Sequence, residues 1–225
     1  MITKTEISTN KKMNINKKIC IIGIGGFGRE TLEIIIDGIN PKNIKIEDVA
    51  CFMVLDKDLD ETKIMGVDVI VQSNFDPSLY NVVVAISDPS IRKKVVQSLP
   101  PATTFTTIIH PNAIISNWVK IGEGSIITAG VIISCNTEIG MHSQLNWHTT
   151  IGHDCQTGDY FTTAPGAKIS GNCVFGDKIY FGTNSSVRQG VLICNDVTIG
   201  MGGVVVKNIS DSGVYIGNPL KKLQK

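Results

Sequence analysis

The stretch Ile-Gly-Glu-Gly-Ser-Ile-Ile-Thr-Ala-Gly-Val-Ile-Ile-Ser-Cys-Asn-Thr-Glu-Ile-Gly, residues 121–140, carries the pattern that decides the fold. Isoleucine occupies every sixth position of it, and an apolar residue recurs at this spacing from residue 109 to residue 205. Of the seventeen residues at this spacing, fifteen are apolar and the others are Thr157 and Thr163, whose branched side chains suit strands. Neither an α-helix nor a single strand keeps one face in phase at a period of six, so the pattern predicts a solenoid.

Small or slim residues stand four positions after most of these apolar residues, as at Ser125, Val131 and Thr137. One large and one small inward side chain per hexad would fill a narrow prism, and the turn-forming pairs between hexads would supply its corners. Each hexad is then a short strand and a corner, and three hexads make a triangular coil of about 18 residues. We therefore expect a parallel β-helix with a C-terminal tail over residues 108–225.

The segment ahead of the repeat alternates strands with helices. Strands are predicted over residues 18–24, 49–55 and 82–86, and helices after Gly23-Ile-Gly-Gly-Phe-Gly28 and over residues 89–99. Glycines at a strand-to-helix turn let backbone N–H groups approach a phosphate, so the turn favours a nucleotide ligand over a purely structural role. About ninety residues supply only one mononucleotide half, so we interpret residues 18–107 as a small α/β Rossmann-like half-domain that binds a nucleotide-linked sugar rather than NAD.

Composition narrows the functional classes. A net charge of +1 gives no overall field for nucleic acid, and no apolar run is long enough for a signal peptide or a membrane span. Residues 1–17, rich in Lys, Asn, Thr and Ser, are predicted to be a disordered leader. The six cysteines contain no Cys-x-x-Cys pair, which predicts reduced thiols and a cytoplasmic location, with Cys155 and Cys173 stacked as core residues.

A Gly-x-Gly-Gly-x-Gly half-domain ahead of a hexapeptide repeat resembles the hexapeptide-repeat acyltransferases over nearly the whole chain after the leader. It is most similar to the N-acetyltransferases of nucleotide-linked 4-amino-4,6-dideoxyhexoses and to the sialic acid O-acetyltransferase group. The resemblance implies a left-handed coil, a homotrimer with pockets between prisms, acetyl-CoA as the donor and no metal. It also implies a UDP-, dTDP- or GDP-linked aminosugar as the acceptor, in the synthesis of a surface glycan such as lipopolysaccharide O-antigen, capsule or glycoprotein.

The resemblance assigns a sugar-nucleotide site to the glycine loop and its neighbours. The implied contacts are Gly23, Gly25 and Gly26 for the diphosphate, Asp56 for the base, Ser87 and Asp88 for the same pocket, and Asn146 for the acceptor sugar. Phe27 stands where relatives often carry histidine, so a phosphate contact from that side chain is not expected.

The stretch Asn146-Trp-His-Thr-Thr-Ile-Gly-His153-Asp154-Cys matches the family's segment around its catalytic histidine. Acyl transfer to an amine needs a proton acceptor, and a histidine titrating near neutrality suits that task. His153 occupies the third position of its hexad, which points outward. We therefore predict His153 as the general base and Asp154 as the carboxylate that orients its ring.

The resemblance implies four residues for binding the acetyl donor. The Gly171 amide would stabilise the oxyanion of the tetrahedral intermediate. Thr162 stands where many relatives carry a second histidine beside acetyl-CoA. Lys221 and Lys222, in a tail that resembles the one lying against coenzyme A in the superfamily, could meet its phosphates.

Three other functions are compatible with the sequence. The same base could activate a hydroxyl, which keeps O-acetylation of sialic acid or another sugar open. A trimeric sugar-nucleotide-binding scaffold would need no base. A γ-class carbonic anhydrase-like metalloenzyme would explain the five-residue spacing of His148 and His153, but Asn112 stands where its third ligand belongs, and Asn is a poor zinc ligand.

Overall fold

The computed structural model describes residues 16–39 and 44–224. The predicted leader therefore lies outside the described residues, except for Asn16 and Lys17. An α/β part comes first and a long coil of short strands second, in the order that the sequence predicts.

The N-terminal part is a six-stranded sheet with helices. Its strands are β1 Lys18–Ile22, β2 Ala50–Val54, β3 Lys63–Ile64, β4 Val67–Val71, β5 Tyr80–Val84 and β6 Thr104–Phe105. Its helices are α1 Gly26–Gly38, the single turn α2 Ile46–Val49 and α3 Pro89–Ser98, with 3₁₀ turns at Asp56–Asp58 and Gln72–Asn74. The sheet order is β3-β4-β2-β1-β5-β6, and only the β3–β4 pair is antiparallel. The carboxyl ends of β1, β2 and β5 consequently meet at one edge, where the glycine loop begins.

The remaining strands form the three faces of a prism. The first face contains Ile108–Ile109, Ile126–Ile127, Gln144–Leu145, Thr162–Thr163, Tyr180–Phe181, Val197–Ile199, Gly213–Ile216 and Lys221–Lys222. The second face contains Ile114–Ile115, Ile132–Ile133, Thr150–Ile151, Lys168–Ile169, Ser186–Val187 and Val204–Val205. The third face contains Lys120–Ile121, Glu138–Ile139, Gln156–Thr157, Val174–Phe175 and Leu192–Ile193.

Parallel pairing at a spacing of 18 residues confirms the triangular coil. Ile127 pairs with Leu145, and Leu145 with Thr163, so each inward residue stacks on the equivalent one of the next coil. The period shortens at the end, because Ile193 bridges to Ile209, only 16 residues on. The inward column of large apolar residues forms the core of the prism, as the hexad pattern predicts.

The N-terminal part covers the first coils of the first face, and the two parts share a core there. Ile108 and Ile126 point outward from the prism, yet both are fully buried in one apolar cluster with Leu32 of α1 and Phe52 of β2. Burying each isoleucine contributes about 1.5–3 kcal/mol. The predicted division at residue 107 is therefore a change of topology within a continuous core, and the domain boundaries themselves stay a prediction.

Arg92 of α3 is a second connection between the two parts. Its fully buried guanidinium donates hydrogen bonds to the carbonyls of Ile86 (2.6 Å), Ser87 (3.2 Å), His142 (2.9 Å) and Tyr160 (2.9 Å) and to Oγ1 of Thr162 (2.6 Å). Burial lowers the pKa of this group to about 9. Arg92 carries no signal in the sequence that distinguishes it from a surface residue, because an arginine in a helix with several other polar residues is typical of a solvated face.

Two further side chains cross the same junction. Gln144 donates from Nε2 to the Val84 carbonyl at 2.8 Å. His110 contacts Asp37 of α1 through Nε2 at 2.9 Å, while its Nδ1 accepts the Asn112 amide proton. With Arg92, these contacts fix the glycine loop relative to the first face.

Candidate active site

His153 and Asp154 lie at the corner between the second and third faces. His153 Nδ1 is 2.7 Å from Asp154 Oδ2, and both side chains are about half exposed, at 49% and 46%. A carboxylate only accepts, so His153 must carry its proton on Nδ1, which leaves the lone pair of Nε2 free. This is the arrangement of a base and its orienting carboxylate that the sequence predicts.

A third side chain completes the corner. Asn136, one coil earlier, donates from Nδ2 to Asp154 Oδ1 at 3.2 Å. The hydrogen bonds from His153 and then from Asn136 hold the pKa of the Asp154 carboxyl below its ordinary value. Asp154 is therefore ionised at neutral pH and available to stabilise an imidazolium.

Gly171 lies directly beside the imidazole, one coil after His153. A Cβ placed on Gly171 would stand 2.7 Å from His153 Nε2 and 3.0 Å from the His153 carbonyl oxygen, closer than ordinary contact allows. Among the described residues, no acceptor pairs with the Gly171 amide N–H. The structure thus brings a free backbone donor and the basic nitrogen together, as the predicted oxyanion site requires.

A pocket of about 170 Å³ opens where the glycine loop meets the prism. Phe27 and Ser87 line it from the N-terminal part, and Asn146, Thr162 and Tyr180 line it from the β-helix. Three residues from the sequence prediction, Ser87, Asn146 and Thr162, are therefore brought to one cavity. Asn146 accepts the Trp147 amide proton on Oδ1 at 2.7 Å, which leaves its amide NH₂ as the available donor.

The glycines of the loop divide into two kinds. Gly23 has φ of +110°, and a Cβ there would stand 2.9 Å from the Ala85 carbonyl oxygen; one on Gly28 would stand only 1.9 Å from the Gly23 oxygen. These two glycines are required by packing. Gly25 and Gly26 have open space instead, and α1 begins at Gly26 with no side-chain cap. The helix start is therefore open to an anion, which suits the predicted diphosphate contacts at Gly25 and Gly26.

Asp56 and Asp88 both have partners within the protein. Asp56 follows β2 and accepts hydrogen bonds from the hydroxyl and amide of Ser73, which hold the pKa of its carboxyl below the ordinary value. Asp88 caps α3 by accepting the Ile91 amide proton at 2.8 Å. Neither lines the pocket, and their ligand contacts stay predictions.

The predicted donor contacts are spread over the molecule. Thr162 is buried under Arg92 on the first face, in the pocket that contains Asn146 and away from the His153 corner. Lys221 and Lys222 form an exposed strand against Gly213–Ile216, beside a second cavity of about 590 Å³. Gly171 alone lies at the imidazole.

The pocket and the base stand on opposite edges of the second face. Asn146 precedes the Thr150–Ile151 strand of this face, and His153 follows it. The two residues are seven positions apart, and at about 3.3 Å per residue their separation is on the order of 20 Å. His148 lies at the Asn146 edge, so it and His153 are also far apart.

Within the described residues, no cluster of three or more His, Cys, Asp or Glu side chains could hold a metal, and no helix could cross a membrane.

A family model described as the PglD N-terminal domain matches residues 18–99. GDP-perosamine N-acetyltransferase of Escherichia coli O157:H7 is 36% identical over 179 residues, which cover 76% of this chain and 78% of that protein.

Three solved structures match most of the chain. The acetyltransferase domain of PglB from Neisseria gonorrhoeae FA1090, in complex with acetyl coenzyme A, has a TM-score of 0.82 and 26% identity, covering 92% of this chain and 100% of that one. PerB from Caulobacter crescentus, with CoA and GDP-perosamine, has a TM-score of 0.81 and 27% identity, covering 93% and 98%. WeeI from Acinetobacter baumannii AYE has a TM-score of 0.83 and 29% identity, covering 92% and 100%. These similarities confirm the predicted fold class, a half-domain followed by a left-handed β-helix.

Proposed function

We propose that this chain, which belongs to the hexapeptide-repeat sugar N-acetyltransferases, transfers the acetyl group of acetyl-CoA to a nucleotide-linked sugar. The acceptor is the 4-amino group of a 4-amino-4,6-dideoxyhexose. The observation that carries the proposal is the outward His153–Asp154 pair beside the free amide of Gly171. Two of the relatives act on or bind GDP-perosamine, which makes it the first acceptor to test. The carrier, the downstream glycan and the cytoplasmic location stay predictions.

His153 begins the reaction as the base. As the sugar nitrogen attacks the thioester carbonyl carbon, Nε2 takes the proton that the nitrogen loses. The imidazolium that forms carries its other proton on Nδ1, 2.7 Å from the Asp154 carboxylate, which stabilises the charge.

Gly171 acts on the oxygen of the same intermediate. The carbonyl oxygen becomes negative when the C–N bond forms, and the Gly171 N–H donates to it. When the intermediate collapses, the C–S bond breaks and the imidazolium returns its proton to the sulfur of coenzyme A. The products are the N-acetylated sugar nucleotide and free CoA thiol.

The sugar-nucleotide pocket of one copy is completed by the His153 corner of another copy in a homotrimer. The two lie on opposite edges of the second face, so one chain does not place them together. The second face and its flanking corners also expose large apolar side chains, at Ile114 (64%), Ile132 (42%), Trp118 (75%) and Trp147 (42%). Such a surface is typical of an interface.

The base assignment is tested with His153→Asn. We expect its kcat to fall about 10²- to 10⁴-fold, with little change in KM for GDP-perosamine, because only proton transfer is lost. Release of free thiol from acetyl-CoA measures the rate. His148→Asn is the matched control, because His148 has no assigned part in proton transfer and asparagine tolerates its φ of +58°. Full turnover by His153→Asn would refute the base assignment.

The shared site is tested by mixing two inactive chains. Gly25→Asp should improve the cap of α1 while repelling a diphosphate, and its Cβ meets no atom within 4 Å. If sites form between copies, an equimolar mixture of Gly25→Asp and His153→Asn chains with random subunit exchange restores about one quarter of the sites. If mass spectrometry confirms that mixed trimers have formed and activity is still absent, the sugar-nucleotide pocket and the His153 base of a site belong to one chain.

A further inference from the structure

The corner between the second and third faces carries a column of polar residues in three successive coils. Asn136, Asp154 and Asn172 are spaced by 18 residues and have φ values of +55°, +56° and +58°. Asparagine and aspartate tolerate this left-handed conformation better than other residues with side chains. The repeat therefore stacks them directly above one another.

Within this column, Asn136 contacts the partner of the base. Its Nδ2 donates to Asp154 Oδ1 at 3.2 Å, while the other carboxylate oxygen, Oδ2, is 2.7 Å from His153 Nδ1. Both oxygens of Asp154 are thus engaged by donors on opposite sides, which fixes the plane of the carboxylate. The direction of each hydrogen bond is settled, because a carboxylate only accepts.

Because the Asp154 side chain is half exposed, its orientation depends on the hydrogen bond from Asn136. The Asp154 side chain is 46% exposed, so packing alone does not hold it in one rotamer. With a single hydrogen bond to His153, carboxylate and ring could turn together toward solvent. A bond to Asn136, whose backbone lies in the adjacent coil, ties the pair to the rigid prism.

We propose that Asn136 is a positioning residue for acetyl transfer, which holds the Asp154 carboxylate in the orientation that presents His153 Nε2 to the attacking amine. This inference rests on the proposed role of His153. Among the described residues, the side-chain hydrogen bond of Asn136 is made to Asp154, so the proposed effect passes through that carboxylate.

Asn136→Gly and a double-mutant cycle with Asp154→Gly test this. Glycine removes each side chain without strain at φ values of +55° and +56°. We expect Asn136→Gly to lower kcat about three- to tenfold, as for a lost hydrogen bond, with KM values unchanged. In the Asp154→Gly background the same substitution should change kcat less than twofold. Asn172→Gly, with the same residue type and φ one coil further on, is the matched control and should retain the wild-type kcat.

The ¹⁵N chemical shifts of the His153 ring give a readout that a structural role would not move. In Asn136→Gly the neutral ring should shift toward a mixture of the Nδ1–H and Nε2–H tautomers, while the unfolding temperature stays close to wild type. Equal kcat losses in both backgrounds, or unchanged kcat with a lowered unfolding temperature, would overturn the inference. Neither result would affect the base assignment, which depends on His153→Asn alone.

Discussion

Replacing Gly171 by alanine separates stability from catalysis at the proposed oxyanion site. The added methyl group would stand 2.7 Å from His153 Nε2, whereas ordinary contacts begin at 3.4 Å. The imidazole must therefore withdraw by about 0.7 Å or rotate away. Because the His153 side chain is half exposed, rotation costs little folding energy, but it displaces the basic nitrogen and breaks its alignment with Asp154.

The expected loss in kcat for Gly171→Ala is about 10²-fold, since a displacement near 1 Å in an active site has an effect of that size. Free-thiol release from acetyl-CoA with GDP-perosamine measures kcat, and the unfolding temperature should fall by only a few °C, because the His153 carbonyl, 3.0 Å from the added methyl group, must also shift by a few tenths of an ångström. Ser170→Ala, at the neighbouring exposed position, is the control and should behave as wild type. Wild-type kcat in a folded Gly171→Ala protein would refute the requirement that His153 Nε2 stays at its position beside residue 171 during the reaction.

Two further predictions concern the junction between the parts. Arg92→Met leaves four carbonyls and the Thr162 hydroxyl without their buried donor, so the free energy of unfolding measured by denaturant titration should fall by about 3–5 kcal/mol. Arg92→Lys should recover only part of this loss. Wild-type stability of Arg92→Met would contradict the role of these hydrogen bonds in joining the two parts. Burial lowers the pKa of His142 to about 4 in the folded protein. As pH falls from about 6.5 toward 4, the His142 ring is therefore protonated in the unfolded chain but still neutral in the folded one, and the free energy of unfolding decreases. His142→Asn should therefore lose roughly 3 kcal/mol less between pH 7 and pH 4 than wild type, and parallel curves would show that His142 is not the titrating group.

Much of the site could be read from the sequence because its repeat fixes geometry. A six-residue period assigns each residue a place on a face or corner, so the outward position of His153 and its stacking on Gly171 follow from counting along the chain. The open start of α1 at Gly25 and Gly26 could likewise be read from the glycine-rich strand-to-helix turn, while their contact with a diphosphate stays a prediction.

The sequence analysis failed where side chains meet across the two parts. Arg92, Gln144 and the outward Ile108 and Ile126 carry no local signal that separates them from surface residues. Their partners lie between about 20 and 100 positions away in the chain, and which outward positions become buried depends on how the half-domain docks on the prism.

The coil, the half-domain and the outward corner position of His153 follow from the sequence alone, because each depends on short-range spacing and backbone sterics; the role of His153 as base stays a prediction. Burial of the first coils of the first face, the bond that ties Asp154 to Asn136 of the preceding coil, and the placement of pocket and base on opposite edges of one face became visible only in the tertiary structure. These features depend on burial and on hydrogen bonds between distant segments, whose free energies exist only after the chain has brought the segments together.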